Sequence, residues 1–376
     1  MINSLHNFRS KRICTSVAIS KLLQKRGRFV IALIFAFMLL GGCSAHRQSS
    51  PPKAYDVSQG WQTALPEEHH TNASLLKSLD ETIQRDYQTI RSVLILRNGY
   101  IIFEEYYHNT DADTYHAIYS ITKSIMSMLT GIAIDQGLFD GVDQSIATFF
   151  PVSQNVNEQA ITLQTLLTMS SGADDTSFRD MRSCMTNSEE WHGCLGTMIH
   201  SQLNKDDFFY NEYDPHLLSI TLSEASGLSA LEFANTHLFA PLQIEPQFWE
   251  VDMQGHNRGG YGLHLRTRDL AKLGYLYLND GMWGEQQIVS SEWITESTQQ
   301  HRAGGPPLGV AYGYLWWLPT VGDYATYAAF GRGGQLLLVI PQLDAMVVIT
   351  ATPDVATKNL LPLLETYVIP ALENRQ

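Results

Sequence analysis

The order of apolar and polar positions divides the chain into a basic start, a polar stretch and a long body of regular elements. Phe29 to Leu40 is an unbroken apolar run of twelve residues, shorter than the roughly 18 that a membrane span takes. Ser44 to about Glu68 is polar and contains Ser49-Ser50-Pro51-Pro52, the composition of a tether. Helical spacing runs from Asn72 to Tyr87. Two apolar runs follow, Ser92–Arg97 and Tyr100–Tyr107, joined by Asn98-Gly99. Asn and Gly accept the positive φ of a tight hairpin turn, so two antiparallel strands are predicted. Ser120 to Gln136 is apolar on most sides through Ile121, Ile125, Met126, Met128, Leu129, Ile132, Ala133 and Ile134. That pattern predicts a buried helix, and Gly137 is placed to end it. The chain then stays helical and irregular to about Leu242. Strand-like runs return at Gly313–Leu318, Tyr324–Phe330, Gln335–Ile340 and Ala345–Ala351. Leu360–Leu372 closes the body as an amphipathic stretch containing Pro362 and Pro370. Strands early, helices between and strands late predict an α+β fold. One antiparallel sheet is built from both chain ends, with flanking terminal helices and an inserted, mostly helical lobe at about 125–250.

Charge changes the picture at the start of the chain. The 376 residues include 25 Lys or Arg and 38 Asp or Glu, a formal net charge of −13. Seven of the basic residues lie in residues 1–28, which hold no acid. A basic region, a short apolar run and then small residues describe a secretory signal. The run ends in Leu40-Gly41-Gly42-Cys43, which resembles the lipobox of bacterial lipoproteins, whose Cys is lipidated and becomes the mature N-terminus. This predicts a signal peptide over 1–42, a polar tether over 43–70 and a catalytic domain over 71–376. The protein is then expected in the bacterial cell envelope, held to a membrane through a lipid on Cys43. An uncleaved anchor helix is the alternative. The acidic remainder argues against nucleic acid, whose phosphates need a basic stripe. Cys184 and Cys194 fit no zinc spacing. In an oxidising compartment they can form a disulfide; two unpaired small hydrophobes are the other reading.

The candidate chemistry centres on Ser120-Ile121-Thr122-Lys123. A serine hydroxyl is a weak nucleophile and needs a base within hydrogen-bond reach. Residues three apart on a helix share a face. A lysine can act as that base when burial and a positive field lower its hold on the proton, and a helix N-terminus supplies such a field. The spacing alone is weak, since Ser74-Leu75-Leu76-Lys77 repeats it in the first, exposed helix. The long apolar helix after Ser120 sets the second copy apart.

Tyr119-Ser120-Ile121-Thr122-Lys123-Ser124 resembles the nucleophile segment of the serine β-lactamase and penicillin-binding-protein superfamily. Tyr210-Asn211-Glu212 resembles the Tyr-x-Asn segment of its class C-like branch. Phe330-Gly331-Arg332-Gly333-Gly334-Gln335 resembles the segment with the Lys-Thr-Gly or His-x-Gly triplet. Leu166–Gly172, Gly259–Ala271 and Tyr312–Trp317 are similar to further stretches of the family, so the resemblance runs from about residue 75 to the end. It implies an acyl-enzyme on Ser120, with Lys123 taking its proton and Tyr210 relaying a proton to the leaving group. The backbone N–H groups of Ser120 and Gln335 would form the oxyanion hole. Glu212, Arg332, Gly333 and Gly334 would lie along the substrate, with the planar fork of Arg332 suited to a carboxylate.

Two positions depart from the family. Glu212 stands where Asn or Ser is usual: pointing inward it would favour a charged Lys123 or itself serve in proton transfer, and the other reading is that it points away or bonds backbone. Arg332 replaces Lys or His, which puts β-lactam recognition in doubt. The expected reaction is hydrolysis of an ester or amide, as an esterase or amidase. A D,D-peptidase or β-lactamase is the alternative, and a non-catalytic envelope binding protein of the same fold is a third. The expected partner is a small ester, amide or peptide; no cofactor or metal is implied. His69 and His70 follow two acids in the tether and are not read as a metal site. His264 is expected to be a packed histidine. One of Trp316 and Trp317 is expected to face a pocket and the other the sheet. The absence of Gly-x-Ser-x-Gly weighs against an α/β-hydrolase, and the absence of His-Glu-x-x-His against a zinc protease.

Overall fold

Asn72 opens the first helix, α1 (Ala73–Asp86), by accepting the N–H groups of Ser74 and Leu75 on its side chain. Helix starts leave such donors unpaired, and this cap satisfies them. One stripe of α1 buries Leu76, Leu79 and Ile83. The hairpin follows as β1 (Ile90–Arg97) and β2 (Tyr100–Tyr106), turning at Asn98 and Gly99 with φ of 51° and 82°. The computed structural model describes residues 60–149, 161–172, 207–246, 248–353 and 359–374. Residues 1–59 with the expected signal and Cys43, and the expected Cys184–Cys194 pair, lie outside the described residues.

The short strand β3 (Tyr115–Ala117) leads into α2 (Ile121–Asp135), which is buried along nearly its whole length. Helix α3 (Tyr213–Ser226) follows in the helical lobe, then β4 (His264–Arg266), which pairs with β3, and α4 (Thr267–Leu278). The remaining strands are β5 (Ala311–Tyr312), β6 (Trp317–Leu318), β7 (Tyr327–Gly331), β8 (Gln335–Ile340) and β9 (Ala345–Ala351). They join β1 and β2 in a seven-stranded antiparallel sheet of order β2-β1-β9-β8-β7-β6-β5. The early hairpin therefore sits beside the last strand, and the helical segment is inserted between the two halves.

The pleat explains why β8 and β9 read as continuous apolar runs. Alternate side chains face opposite sides of a sheet. Leu336, Leu338, Ile340, Val347 and Ile349 pack in a cluster with α1 and the terminal helical stretch 361–372. Leu337, Val339, Met346 and Val348 pack in a second cluster with α2 and α4. Both faces are covered, so neither can be polar. Gly274 lets α4 lie close to the sheet: a Cβ there would be 2.6 Å from a methyl of Leu337.

Three expectations are corrected. Residues 60–70, expected in the tether, belong to the folded domain. Trp61 packs edge-on against Tyr275 and Trp283, both at 5.8 Å, and donates its indole N–H to Arg268 O. His69 packs at a tilt against Tyr100 and bonds Asn98. Burial of one large aromatic outweighs the polarity of its neighbours. Gly313–Leu318 is a turn at 313–316 followed by only the short β6, because Leu315 (φ 60°) turns aside to bond Leu167 O at 2.9 Å. Tyr324–Phe330 is broken at Thr326, whose N–H and hydroxyl both bond Pro319 O, at 3.0 and 2.7 Å. Among the described residues, no helix is long and apolar enough to cross a membrane, and no group of three or more His, Cys, Asp or Glu could hold a metal ion.

Candidate active site

Ser120 is the N-cap residue of α2, and its side chain takes no capping bond. The chain reaches it through Tyr119, held at φ 48°. A non-glycine residue there is uncommon, and such strain gathers at functional sites. The Ser120 hydroxyl is left to accept from Lys123 Nζ at 3.0 Å. Lys123 is only 1% exposed. Its second bond runs to Gly260 O at 2.8 Å, and Nζ lies 5.0 Å from the centre of the Tyr210 ring. Among the described residues no carboxylate forms an ion pair with it. The other Ser-x-x-Lys copy differs in kind: Lys77 is 78% exposed and pairs loosely with Glu81.

Tyr210 is held in place by aromatic packing. Its ring tilts against Trp317 at 5.2 Å and meets Tyr312 edge-on at 6.3 Å. Asn211 is structural: its side-chain oxygen accepts the N–H groups of Tyr213 and Asp214 and so caps α3. Glu212, the N-cap residue of α3, is half-buried and does not line the cleft described below. Its backbone lies against Gly260 instead, where an added Cβ would be 3.2 Å from Glu212 O. Two residues on, Asp214 is fully buried and accepts from the Ser171 hydroxyl at 2.5 Å. Burial pushes its carboxyl up to about 7, against the lowering effect of the Ser171 and Asn211 hydrogen bonds.

The facing wall is the β7–β8 turn. Gly331 approaches the nucleophile segment so closely that a Cβ would lie 2.5 Å from Ile118 O. Arg332, Gly334 and Gln335 line the cleft together with Ser120 and Tyr210. Gly333 (φ 88°) faces away, its missing Cβ directed at the Pro353 backbone. The Gln335 carboxamide is buried and bridges to β9, accepting from Ala351 N at 3.0 Å and donating to Ala351 O at 2.5 Å. That bridge clamps the turn to the sheet. The cleft holds about 680 Å³ and continues from Ser120 past Val310, Trp317, Pro319 and Phe330 toward Leu360. Trp317 lines it, whereas Trp316 packs on Tyr277 in the core. His264 stacks on Phe248 at 4.0 Å and is not among the residues lining this cleft.

The structure thus brings Ser120, Lys123, Tyr210, Arg332, Gly334 and Gln335 together. Sequence reading missed the Gly260 carbonyl, a backbone group with no residue-type signature. The paired glycines 259 and 260 are the only trace of it. A Cβ on Gly259 would fall 1.8 Å from Pro215 O, so only glycine fits where this segment crosses the first turn of α3.

Comparison with known proteins agrees with this geometry. The Beta-lactamase family profile matches residues 82–360, so the chain belongs to that family. It is 23% identical over 312 residues to the 6-aminohexanoate-dimer hydrolase of Paenarthrobacter ureafaciens, covering 76% of this chain and 79% of that protein. Its fold is that of the octameric penicillin-binding protein homologue from Pyrococcus abyssi (TM-score 0.63, 18% identity, 79% of this chain and 77% of the other). It also matches the penicillin-binding protein of Bacillus halodurans (TM-score 0.60, 16% identity, 78% of this chain and 98% of the other). The family and the named relative make this chain one of a family of hydrolases with the β-lactamase/transpeptidase-like fold.

Proposed function

We propose that the protein is a serine hydrolase that cleaves an ester or a linear amide through an acyl-enzyme on Ser120. The observation that carries this reading is the 3.0 Å contact between buried Lys123 Nζ and Ser120 Oγ at the floor of the cleft. Lys123, as the free amine, takes the Ser120 proton while Oγ attacks the carbonyl carbon. The resulting oxyanion is received by the N–H groups of Ser120 and Gln335, a device worth roughly 10²–10³-fold per donor. Tyr210, resupplied from Lys123, protonates the leaving oxygen or nitrogen as its bond to carbon breaks. Water then attacks the Ser120 ester, gives its proton back through the same pair, and releases the acid.

The mainly apolar walls and Arg332, the one cation among the described lining residues, suit a substrate with an apolar body and one anionic group. The relative named for 6-aminohexanoate dimer, a linear amide, supports an esterase or amidase. A D,D-peptidase or β-lactamase is the second reading, favoured by the family match and by a cation-bearing glycine turn beside the nucleophile. The test is hydrolysis of p-nitrophenyl acetate and nitrocefin by the wild-type chain and by Ser120→Ala. Ester turnover lost in the variant supports the proposal, and the nitrocefin rate ranks the two readings. No turnover by the folded wild type points to a non-catalytic envelope binding protein. We also propose export and lipidation at Cys43. Cys43→Ser is then expected to release the protein from the membrane fraction of expressing cells.

A further inference from the structure

A second buried polar chain stands behind Lys123. His216 on α3 and Asp252 are 1% and 5% exposed and 3.1 Å apart, Nε2 to Oδ2. The other Asp252 oxygen accepts the N–H groups of Gln254 and His256 at 2.8 and 3.0 Å. Burial raises the Asp252 carboxyl, but the hydrogen bond from His216 and these backbone bonds outweigh it and hold it low. Burial lowers His216 against the opposing pull of Asp252. The pair is thus a carboxylate and a neutral imidazole. An ionised carboxylate only accepts, so His216 carries its proton on Nε2 and Nδ1 keeps a lone pair. That lone pair accepts the Gly259 N–H at 3.3 Å.

Gly259 precedes the residue that matters. The Gly260 carbonyl accepts from Lys123 Nζ at 2.8 Å. A neutral amine has two N–H bonds and one lone pair. If one N–H is tied to Gly260 O, the lone pair can be turned to the Ser120 hydroxyl at 3.0 Å. Where the Gly260 carbonyl sits therefore sets the aim of the base. The other charged and titratable groups facing His216 are Arg258 and His256, and neither forms a hydrogen bond to Gly259 or Gly260 among those described.

We propose that His216 and Asp252 form a buried positioning dyad, which fixes the Gly259–Gly260 backbone and through it the orientation of Lys123. The proposal rests on the reading of Lys123 as the base. His216 touches neither substrate nor reacting atoms; it acts through the backbone.

The test is p-nitrophenyl acetate hydrolysis across pH by the full chain, with thermal melting as the control for folding. His216→Leu removes both bonds at similar volume. It is expected to lower kcat by roughly 10²-fold, to leave KM within about twofold, and to shift the acidic limb of the kcat profile. His216→Asn can still place an acceptor opposite the Gly259 N–H and is expected to recover about tenfold of that loss. A merely structural histidine predicts lower melting with an unmoved pH limb and no rescue by Asn. If the His216 variants do not fold, ¹⁵N chemical shifts of His216 in the wild type decide: unprotonated Nδ1 at neutral pH is expected, and protonated Nδ1 overturns the dyad. Wild-type turnover by Lys123→Ala refutes the base and the dyad together. Turnover lost in Lys123→Ala, with kcat and pH limb unchanged in folded His216→Leu, overturns the dyad alone.

Discussion

Gly259→Ala perturbs the site without touching the cleft. The new Cβ would lie 1.8 Å from the Pro215 carbonyl oxygen, 2.4 Å from its carbon and 2.9 Å from His216 N. These are backbone atoms in the first turn of α3, so no side chain can rotate out of the way. Ordinary non-bonded carbon contacts lie near 3.5–4.0 Å, so the 259–260 segment must retreat by roughly 1–2 Å. The Lys123 Nζ to Gly260 O bond is 2.8 Å long and does not survive such a shift. Overpacking of this kind costs about 1–3 kcal/mol of stability. Misplacing a catalytic group by about 1 Å costs roughly 10²-fold in rate. The expected result is a folded protein of lower melting temperature, with kcat for p-nitrophenyl acetate down about 100-fold. KM should change by less than about twofold, since uniform binding is untouched. A folded Gly259→Ala variant with wild-type kcat would refute the link from this backbone to Lys123.

Other groups give independent checks. Tyr210→Phe keeps the ring packing against Trp317 and removes the proton relay, so kcat should fall by about 10²-fold with melting unchanged. Asp214, pushed up to about 7 by burial, stays protonated in the folded chain where the unfolded carboxyl is already ionised. The folded state then binds the extra proton, and stability declines as pH rises from about 4 to 7, by at most roughly 4 kcal/mol. Asp214→Asn should flatten that decline in melting temperature against pH. Arg268 holds Glu104 with two bonds of 2.7 Å that tie α4 to β2. Burial raises the Glu104 carboxyl, but the Arg268 and Tyr106 hydrogen bonds hold it below its ordinary value. Its contribution is present at neutral pH and lost as pH falls through that lowered value. With the Arg268 side chain 41% exposed, Glu104→Gln should cost only about 1 kcal/mol at pH 7, and the difference should close as acid protonates the Glu104 carboxyl below the ordinary glutamate range.

What the sequence disclosed was local. The hairpin was legible because Asn98-Gly99 dictates its own turn. The nucleophile helix was legible because nearly every side is apolar and Ser120 and Lys123 share a face by spacing. The 313–318 segment misled because its alternation suits a strand, while the Tyr314 and Leu315 N–H groups donate to the distant Ser297 and Leu167 carbonyls and fold it into a turn. Residues 60–70 misled because one tryptophan decides their fate among many polar neighbours. The support of the base was hidden for a related reason. His216 and Asp252 lie in separate segments, and the group they position is a glycine carbonyl that no residue pattern marks. The place of Glu212 in the Tyr motif left it open whether the side chain enters the site; it starts α3 with its backbone against Gly260, outside the cleft lining.

The central claim is that Ser120 is the nucleophile, and peptide mapping after reaction with a fluorophosphonate probe tests it most directly. The predicted result is a single adduct on Ser120, absent from Ser120→Ala and formed more slowly by Lys123→Ala. An adduct on another serine, or undiminished ester turnover by Ser120→Ala, contradicts it.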